Sequence, residues 1–361
     1  MKRVTRVLAG SLAALALTMG VTTTVAPTAS ALLAEPKQDE PTPYPPPATP
    51  TAFPGMYIDF DGDSSPGMVG NTCTLGVVGT DSAGRNVGIT AGHCNPKTTQ
   101  RNNTPDFSNV MIPKYVGAPR GVPVSDNDHP VYDHNAVLYA RDQGTTVPPI
   151  GWIRWVDGDV CKAGDTGPDG KKCPRDPAAE AITDMATYYD KGYSDTDVNV
   201  NSRTDYTVIE FAPGVQLSSQ VLDKDGKAVT STAGGGKLFK VNSVYGSNSA
   251  PALPTPLINS IENFGAWSAR VPWPAANAVA PNWGVVTSVT SSGIIYSLAG
   301  FQHGDSGGPV VMRGTGKWVG IITATLGAGF WVNTSAKNIL DSINHPDHPS
   351  TVGKGFTVTN N

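Results

Sequence analysis

Short apolar runs broken by polar stretches rich in glycine and proline set the pattern of this chain. Cys73-Thr74-Leu75-Gly76-Val77-Val78 and Val87-Gly88-Ile89-Thr90 flank the polar Asp81-Ser82-Ala83-Gly84-Arg85, which predicts a β-hairpin. Ala136-Val137-Leu138-Tyr139-Ala140 and Ile150-Gly151-Trp152-Ile153-Arg154-Trp155 predict the next strands, and Asp205-Tyr206-Thr207-Val208-Ile209-Glu210-Phe211 a clear one. Trp283-Gly284-Val285-Val286, Gly293-Ile294-Ile295-Tyr296-Ser297, Val310-Val311-Met312 and Trp318-Val319-Gly320-Ile321-Ile322-Thr323 follow, the last two joined by the turn Arg313-Gly314-Thr315-Gly316. Helices are few. Asp176 can cap one over 178–189, with Pro177 at its first position, and Thr334 can cap a last one from Ser335 to about Asn344. Residues 95–130 and 157–203 are polar and read as insertions. Residues 223–280 carry few strand signals, and their topology is not readable.

Composition agrees with this β-rich reading. The 361 residues include 40 Gly and 31 Pro, and only 16% are charged. A formal net charge of −4 gives no electrostatic case for nucleic acid or an anionic membrane surface. Lys2, Arg3 and Arg6, the apolar run from Val7 to about Val25, and Ala29-Ser30-Ala31 form a signal-peptide pattern over 1–31. Export without a stable membrane anchor is expected, hence a secreted, extracellular protein. Residues 32–55 are Pro-rich and read as a linker or short pro-segment that packs no core. Four cysteines suit an oxidising compartment, and their spacing favours Cys73 with Cys94 and Cys161 with Cys173. Closing the first loop contributes about 3 kcal/mol on a chain-entropy model.

Gly304-Asp305-Ser306-Gly307-Gly308-Pro309 changes the picture most. Glycines permit a tight turn and close approach of the backbone to a ligand. A serine hydroxyl is a poor nucleophile without a general base, so the motif requires a histidine and a carboxylate elsewhere. Thr90-Ala91-Gly92-His93-Cys94 supplies the histidine. Together the two segments resemble the chymotrypsin-like serine proteases, closest to the secreted bacterial branch of streptogrisin and α-lytic protease. The likeness covers Cys73–Cys94, about Ile150–Phe211 and Val285–Asn344, but not the insertions. Cys73 also stands where the partner of Cys94 does in that family.

The resemblance implies an all-β fold of two packed six-stranded antiparallel Greek-key barrels, here with long insertions and a C-terminal helix. Residues 56–215 would form the first barrel and 216–361 the second with its helix. It implies a serine endopeptidase with Ser306 as nucleophile and His93 as base. Backbone N–H groups of Gly304 and Ser306 would form an oxyanion hole. Asp305 would be buried and paired with a cation or amine. Two aspartates compete to orient His93. Asp205 fits the family pattern of an acid, an aromatic or aliphatic residue, a small one, then apolars; Asp133 fits with the small residue displaced. The insertion over 157–203 accounts for the long interval from His93 to Asp205.

Gly300 would lie at the base of the primary specificity pocket. No aspartate stands there to select Lys or Arg, so a neutral or apolar preference is expected. Gln302 departs from the family, where many relatives carry a cysteine. Thr323, Ala324 and Thr325 would pair with an extended substrate backbone. A protein or peptide substrate, a monomer, and no metal or cofactor are expected. The acids of Asp59-Phe60-Asp61-Gly62-Asp63 lack the bidentate Glu of an EF-hand and read as a solvated turn. The cluster Asp126, Asp128, His129, Asp133, His134 shows no zinc spacing, and His345 and His348 read as exposed. An α/β-hydrolase elbow, with Asp341 and His345 as partners, is disfavoured because a strand pattern follows Ser306 where a helix is required. The alternative function is a catalytically silent protease-fold binding protein.

Overall fold

A computed structural model of the chain describes residues 43–60, 72–95, 118, 121–157, 204–270, 280–290, 293–302, 304–327 and 330–361. The expected signal peptide, the helix over 178–189, Cys161 and Cys173 lie outside these residues. The regular structure of the described chain is mainly antiparallel strand, organised in two large sheets and one two-stranded pair.

The first sheet runs, in chain order, through β2 (Tyr57–Asp59), β3 (Thr72–Thr74), β4 (Val77–Thr80), β5 (Asn86–Thr90), β6 (Pro130–Asp133), β7 (Gly151–Val156) and β8 (Thr207–Phe211), and takes in β17 (Thr357–Val358) from the end of the chain. Its spatial order is β17-β4-β5-β8-β7-β6-β2-β3. The hairpin expected around 81–85 is β4–β5, and Asp81 shapes its turn by accepting from Ala83 N and Arg85 N, both at 3.0 Å. β8 lies between β5 and β7, and both Val208 and Ile209 are fully buried. A strand covered on both faces reads as a continuous apolar run, which is why this segment stood out in the sequence.

The second sheet closes on itself. β11 (Ser260–Asn263), β12 (Asn282–Val289), β13 (Ile294–Leu298), β14 (Pro309–Met312), β15 (Lys317–Gly327) and β16 (Phe330–Ser335) pair in the order β15-β14-β11-β12-β13-β16, and β16 returns to β15. Ile261, Val286, Ile295, Val310, Val319 and Ile322 belong to the apolar cluster of this six-stranded barrel. β10 (Ser243–Val244) adds a short parallel pairing to β15. With the curled first sheet, this is the expected chymotrypsin-like double-barrel architecture.

Several local expectations are corrected. Residues 134–142 form a helix, α1 (His134–Asp142), where a strand was expected over 136–140. Asp133 caps it, its carboxylate accepting from Asn135 N at 3.0 Å. An apolar run of five residues does not distinguish strand from helix; the cap decides. A short helix, α2 (Ala266–Arg270), lies in the stretch whose topology was unreadable. The last helix is α3 (Ala336–Ile343), capped by Ser335 one residue later than expected. The Pro-rich segment does enter the core at its end. Ala52 and Phe53 are buried, and β1 (Thr51–Ala52) pairs in parallel with β9 (Gln216–Leu217).

Candidate active site

The two sheets meet at the turn carrying Ser306. Thr74, at the end of β3, donates its N–H to Ser306 O at 2.8 Å and its hydroxyl to Gly304 O at 2.8 Å. The same hydroxyl accepts Ala266 N at 2.9 Å. Gly307 has φ +83°, and a Cβ there would lie 2.0 Å from Thr90 Oγ1 and 2.5 Å from Thr74 O. Only glycine fits both the dihedral and the space. Gly304 has φ +91°. Among the described residues, neither Gly304 N nor Ser306 N donates a hydrogen bond.

Asp305 shapes the turn from below. It is fully buried and accepts Ser268 N and Gln302 N at 2.8 Å each, together with the Ser268 hydroxyl. Among the described residues its hydrogen-bond partners are amides and a hydroxyl. Burial pushes its pKa up to about 6, the hydrogen bonds from Ser268 and Gln302 acting in the opposite sense. Gly265 makes room for it, since a Cβ there would fall 2.0 Å from the carboxyl carbon.

His93 sits in a single 3-10 turn, Gly92–Cys94, just past β5. The disulfide Cys73–Cys94 ties that turn to β3, next to Thr74. Asp205 precedes β8 and meets His93 twice: Oδ2 lies 2.7 Å from ring Nδ1, and Oδ1 accepts the His93 backbone N–H at 2.7 Å. Gly92 allows this approach, because a Cβ there would stand 3.0 Å from Asp205 Oδ1. An ionised carboxylate only accepts, so Nδ1 carries the proton and Nε2 presents its lone pair. Asp133, the competing acid, caps α1 instead.

The structure therefore brings His93 and Asp205 together, and brings both close to the Ser306 turn: Cys94 Sγ is 3.8 Å from Ser306 O. Ser306 Oγ makes no hydrogen bond to His93 among the described residues. Thr323, Ala324 and Thr325 lie in β15, and the last two pair with Val332 and Trp331 of β16. On its other side β15 is bonded as far as Ile322, whose O accepts Gly307 N at 2.8 Å and whose N donates to Gly308 O at 3.0 Å. Past that point this edge has no strand partner among the described residues. Thr323 Oγ1 lies 2.8 Å from Thr334 Oγ1. Gly300 is buried and its O accepts Asn282 Nδ2 at 3.2 Å. Next to it, Phe301 packs edge-on against Trp331 at 4.8 Å.

Other expectations resolve differently. Asp59 is buried and lies 3.0 Å from His134 Nδ1, so it is no solvated turn residue. No group of three potential metal ligands occurs among the described residues. Asp341 forms an exposed ion pair with Lys337. His348, expected exposed, is buried. No helix among the described residues is long and apolar enough to cross a membrane. Sequence reasoning missed Thr74 and Ser268. The adjacency of Thr74 to Cys73 was a usable signal, whereas nothing in the sequence marks Ser268.

No family model and no curated protein matches the sequence. Among solved structures, the chain is similar to Thermobifida fusca protease A at 12% identity, over 86% of this chain and 100% of that one, with a TM-score of 0.40. It is similar to the Nocardiopsis protease at 12% identity, over 85% and 100%, with a TM-score of 0.38. A chymotrypsin from Cellulomonas bogoriensis matches at 14% identity, over 80% and 93%, with a TM-score of 0.37. These are weak similarities, and the architecture rests on the strand pairings themselves. In those pairings, and in its Thr-Ala-Gly-His-Cys and Gly-Asp-Ser-Gly-Gly-Pro segments, the chain resembles the bacterial chymotrypsin-like serine proteases.

Proposed function

We propose that this protein is a secreted serine endopeptidase. The observation that carries the reading is the double hold of Asp205 on His93, beside a turn that presents Ser306 with two unengaged amides. Ser306 Oγ attacks the peptide carbonyl while His93 Nε2 takes its proton. Asp205 stabilises the imidazolium and fixes the tautomer. The N–H groups of Gly304 and Ser306 receive the oxyanion, where loss of one donor typically costs on the order of 100- to 1000-fold in rate. His93 returns the proton to the leaving amine, and water then resolves the acyl-enzyme by the reverse sequence. The substrate backbone lies along Thr323–Thr325 as an added strand. A neutral P1 side chain, directed towards Gly300, is favoured.

One observation favours the catalytically silent alternative: Ser306 Oγ is not hydrogen-bonded to His93. Such bonds are often loose before substrate arrives. A fluorophosphonate probe separates the readings. Labelling of the full chain that disappears in Ser306→Ala supports the peptidase. No labelling, or labelling unchanged in Ser306→Ala, rejects it.

A further inference from the structure

Behind Asp205 lies a buried polar chain that the proposed chemistry does not use. Tyr206 is fully buried, and its hydroxyl lies 2.9 Å from Ser342 Oγ and 3.2 Å from His348 Nε2. Ser342 Oγ donates to Asp157 Oδ2 at 3.0 Å, and Asp157 N donates to Tyr206 O at 2.9 Å. His348 packs its ring on Trp155 at 4.3 Å, with Nδ1 3.1 Å from Ser350 O.

This pattern fixes the protons. A carbonyl only accepts, so Nδ1 of His348 carries the hydrogen and Nε2 accepts. Because Ser342 donates to Asp157, Ser342 Oγ and His348 Nε2 are both acceptors and share the single Tyr206 proton between them. Burial lowers the pKa of His348, with Lys354 and His345 nearby acting in the same sense. Burial, and then Asp157, raise that of Tyr206 well above its ordinary value. Both rings are thereby kept neutral, as the hydrogen bonds require.

Adjacent residues of an extended segment face opposite ways. Asp205 reaches His93 on one side, while Tyr206 is anchored on the other by α3 and the segment after it. We propose that His348 is a positioning residue for Asp205: by accepting the Tyr206 hydroxyl, it fixes the backbone of 205–206 and so the carboxylate that holds His93. This rests on the peptidase reading, although the geometry it concerns can be measured without turnover.

The test uses the full chain with His348→Leu, His348→Gln and Tyr206→Phe. Two readouts are followed: kcat and KM on a peptide p-nitroanilide that the wild type cleaves, and the NMR resonance of the His93 Nδ1 proton. A misplaced orienting group lowers turnover, so His348→Leu and Tyr206→Phe should reduce kcat about tenfold with KM within about twofold of wild type. The resonance of the His93 Nδ1 proton should move upfield as its hydrogen bond to the carboxylate of Asp205 lengthens. His348→Gln offers Oε1 as an acceptor near the Nε2 position and should recover most of the lost kcat. Wild-type kcat and an unmoved His93 Nδ1 proton resonance in folded His348→Leu would overturn the proposal. So would a loss that Gln does not rescue and that only tracks a lowered thermal midpoint. If His348→Leu does not fold, Tyr206→Phe, which removes a single hydroxyl, decides. A wild type that neither cleaves nor is labelled defeats the peptidase reading, and the His93 Nδ1 proton resonance still tests the link to His348.

Discussion

Asp205 holds His93 by both of its oxygens, one on ring Nδ1 and one on the backbone N–H, each at 2.7 Å. The contact to Nδ1 orients the imidazole, and the contact to the backbone N–H holds the turn beneath it. Two contacts fix the ring and the turn that carries it as one unit. Replacing this carboxylate therefore removes an orientation as well as a charge.

Asp205→Asn should lower kcat by about four orders of magnitude without unfolding the protein, because an amide at this position favours the wrong imidazole tautomer. Circular dichroism and hydrolysis of a peptide substrate check both halves of the statement. Asp133→Ala is expected to behave in the opposite way. Loss of the α1 cap costs about 1 kcal/mol of stability, and turnover stays near wild type. A reversal of the two outcomes would return the orienting role to Asp133.

Gly307→Ala should be severely destabilising. The added methyl meets Thr90 Oγ1 and Thr74 O, and φ is +83°. Strain and overpacking each cost about 1–3 kcal/mol. Denaturant melts should show the loss, and the fluorophosphonate probe should no longer label Ser306.

Asp305 makes stability depend on pH. Its pKa is raised from the ordinary 3.8 to about 6, so the folded state binds its proton more tightly than the unfolded chain. The stabilisation is complete below pH 3.8 and is lost as pH rises through about 6. At about 1.36 kcal/mol per unit, the swing is on the order of 3 kcal/mol. Urea unfolding of wild type and Asp305→Asn across this range should show the wild type losing stability relative to the variant. Parallel curves would contradict the shift.

The Cys73–Cys94 disulfide joins β3 to the turn of His93. Its removal in Cys73→Ala/Cys94→Ala should cost about 2–5 kcal/mol. Because both of its ends adjoin the site, labelling of Ser306 should slow even under conditions where the variant remains folded. Scanning calorimetry and labelling rates test the two effects separately.

What could be read from the sequence follows a physical division. The Ser306 and His93 segments were conspicuous because a tight turn against neighbouring backbone needs glycines in fixed places, and Gly307 and Gly92 serve that need. β8 stood out because both of its faces are buried. α1 was misread because Ala136–Ala140 is a short apolar run whose identity depends on the cap at Asp133. His348 was misread because its burial comes from Trp155, nearly two hundred residues earlier. The partners of Asp305 were invisible for the same reason: Ser268 lies in a stretch with no strand pattern and reaches the turn only through the tertiary fold.

Thr74 gives the nucleophile's turn a further property. Its N–H and hydroxyl, from the first sheet, hold carbonyls of Ser306 and Gly304 that lead into the second. The reactive geometry is thus assembled jointly by distant parts of the chain. Separate fragments divided at the loop around Gly214 would each lack part of it, and reactivity at Ser306 would report their reassociation.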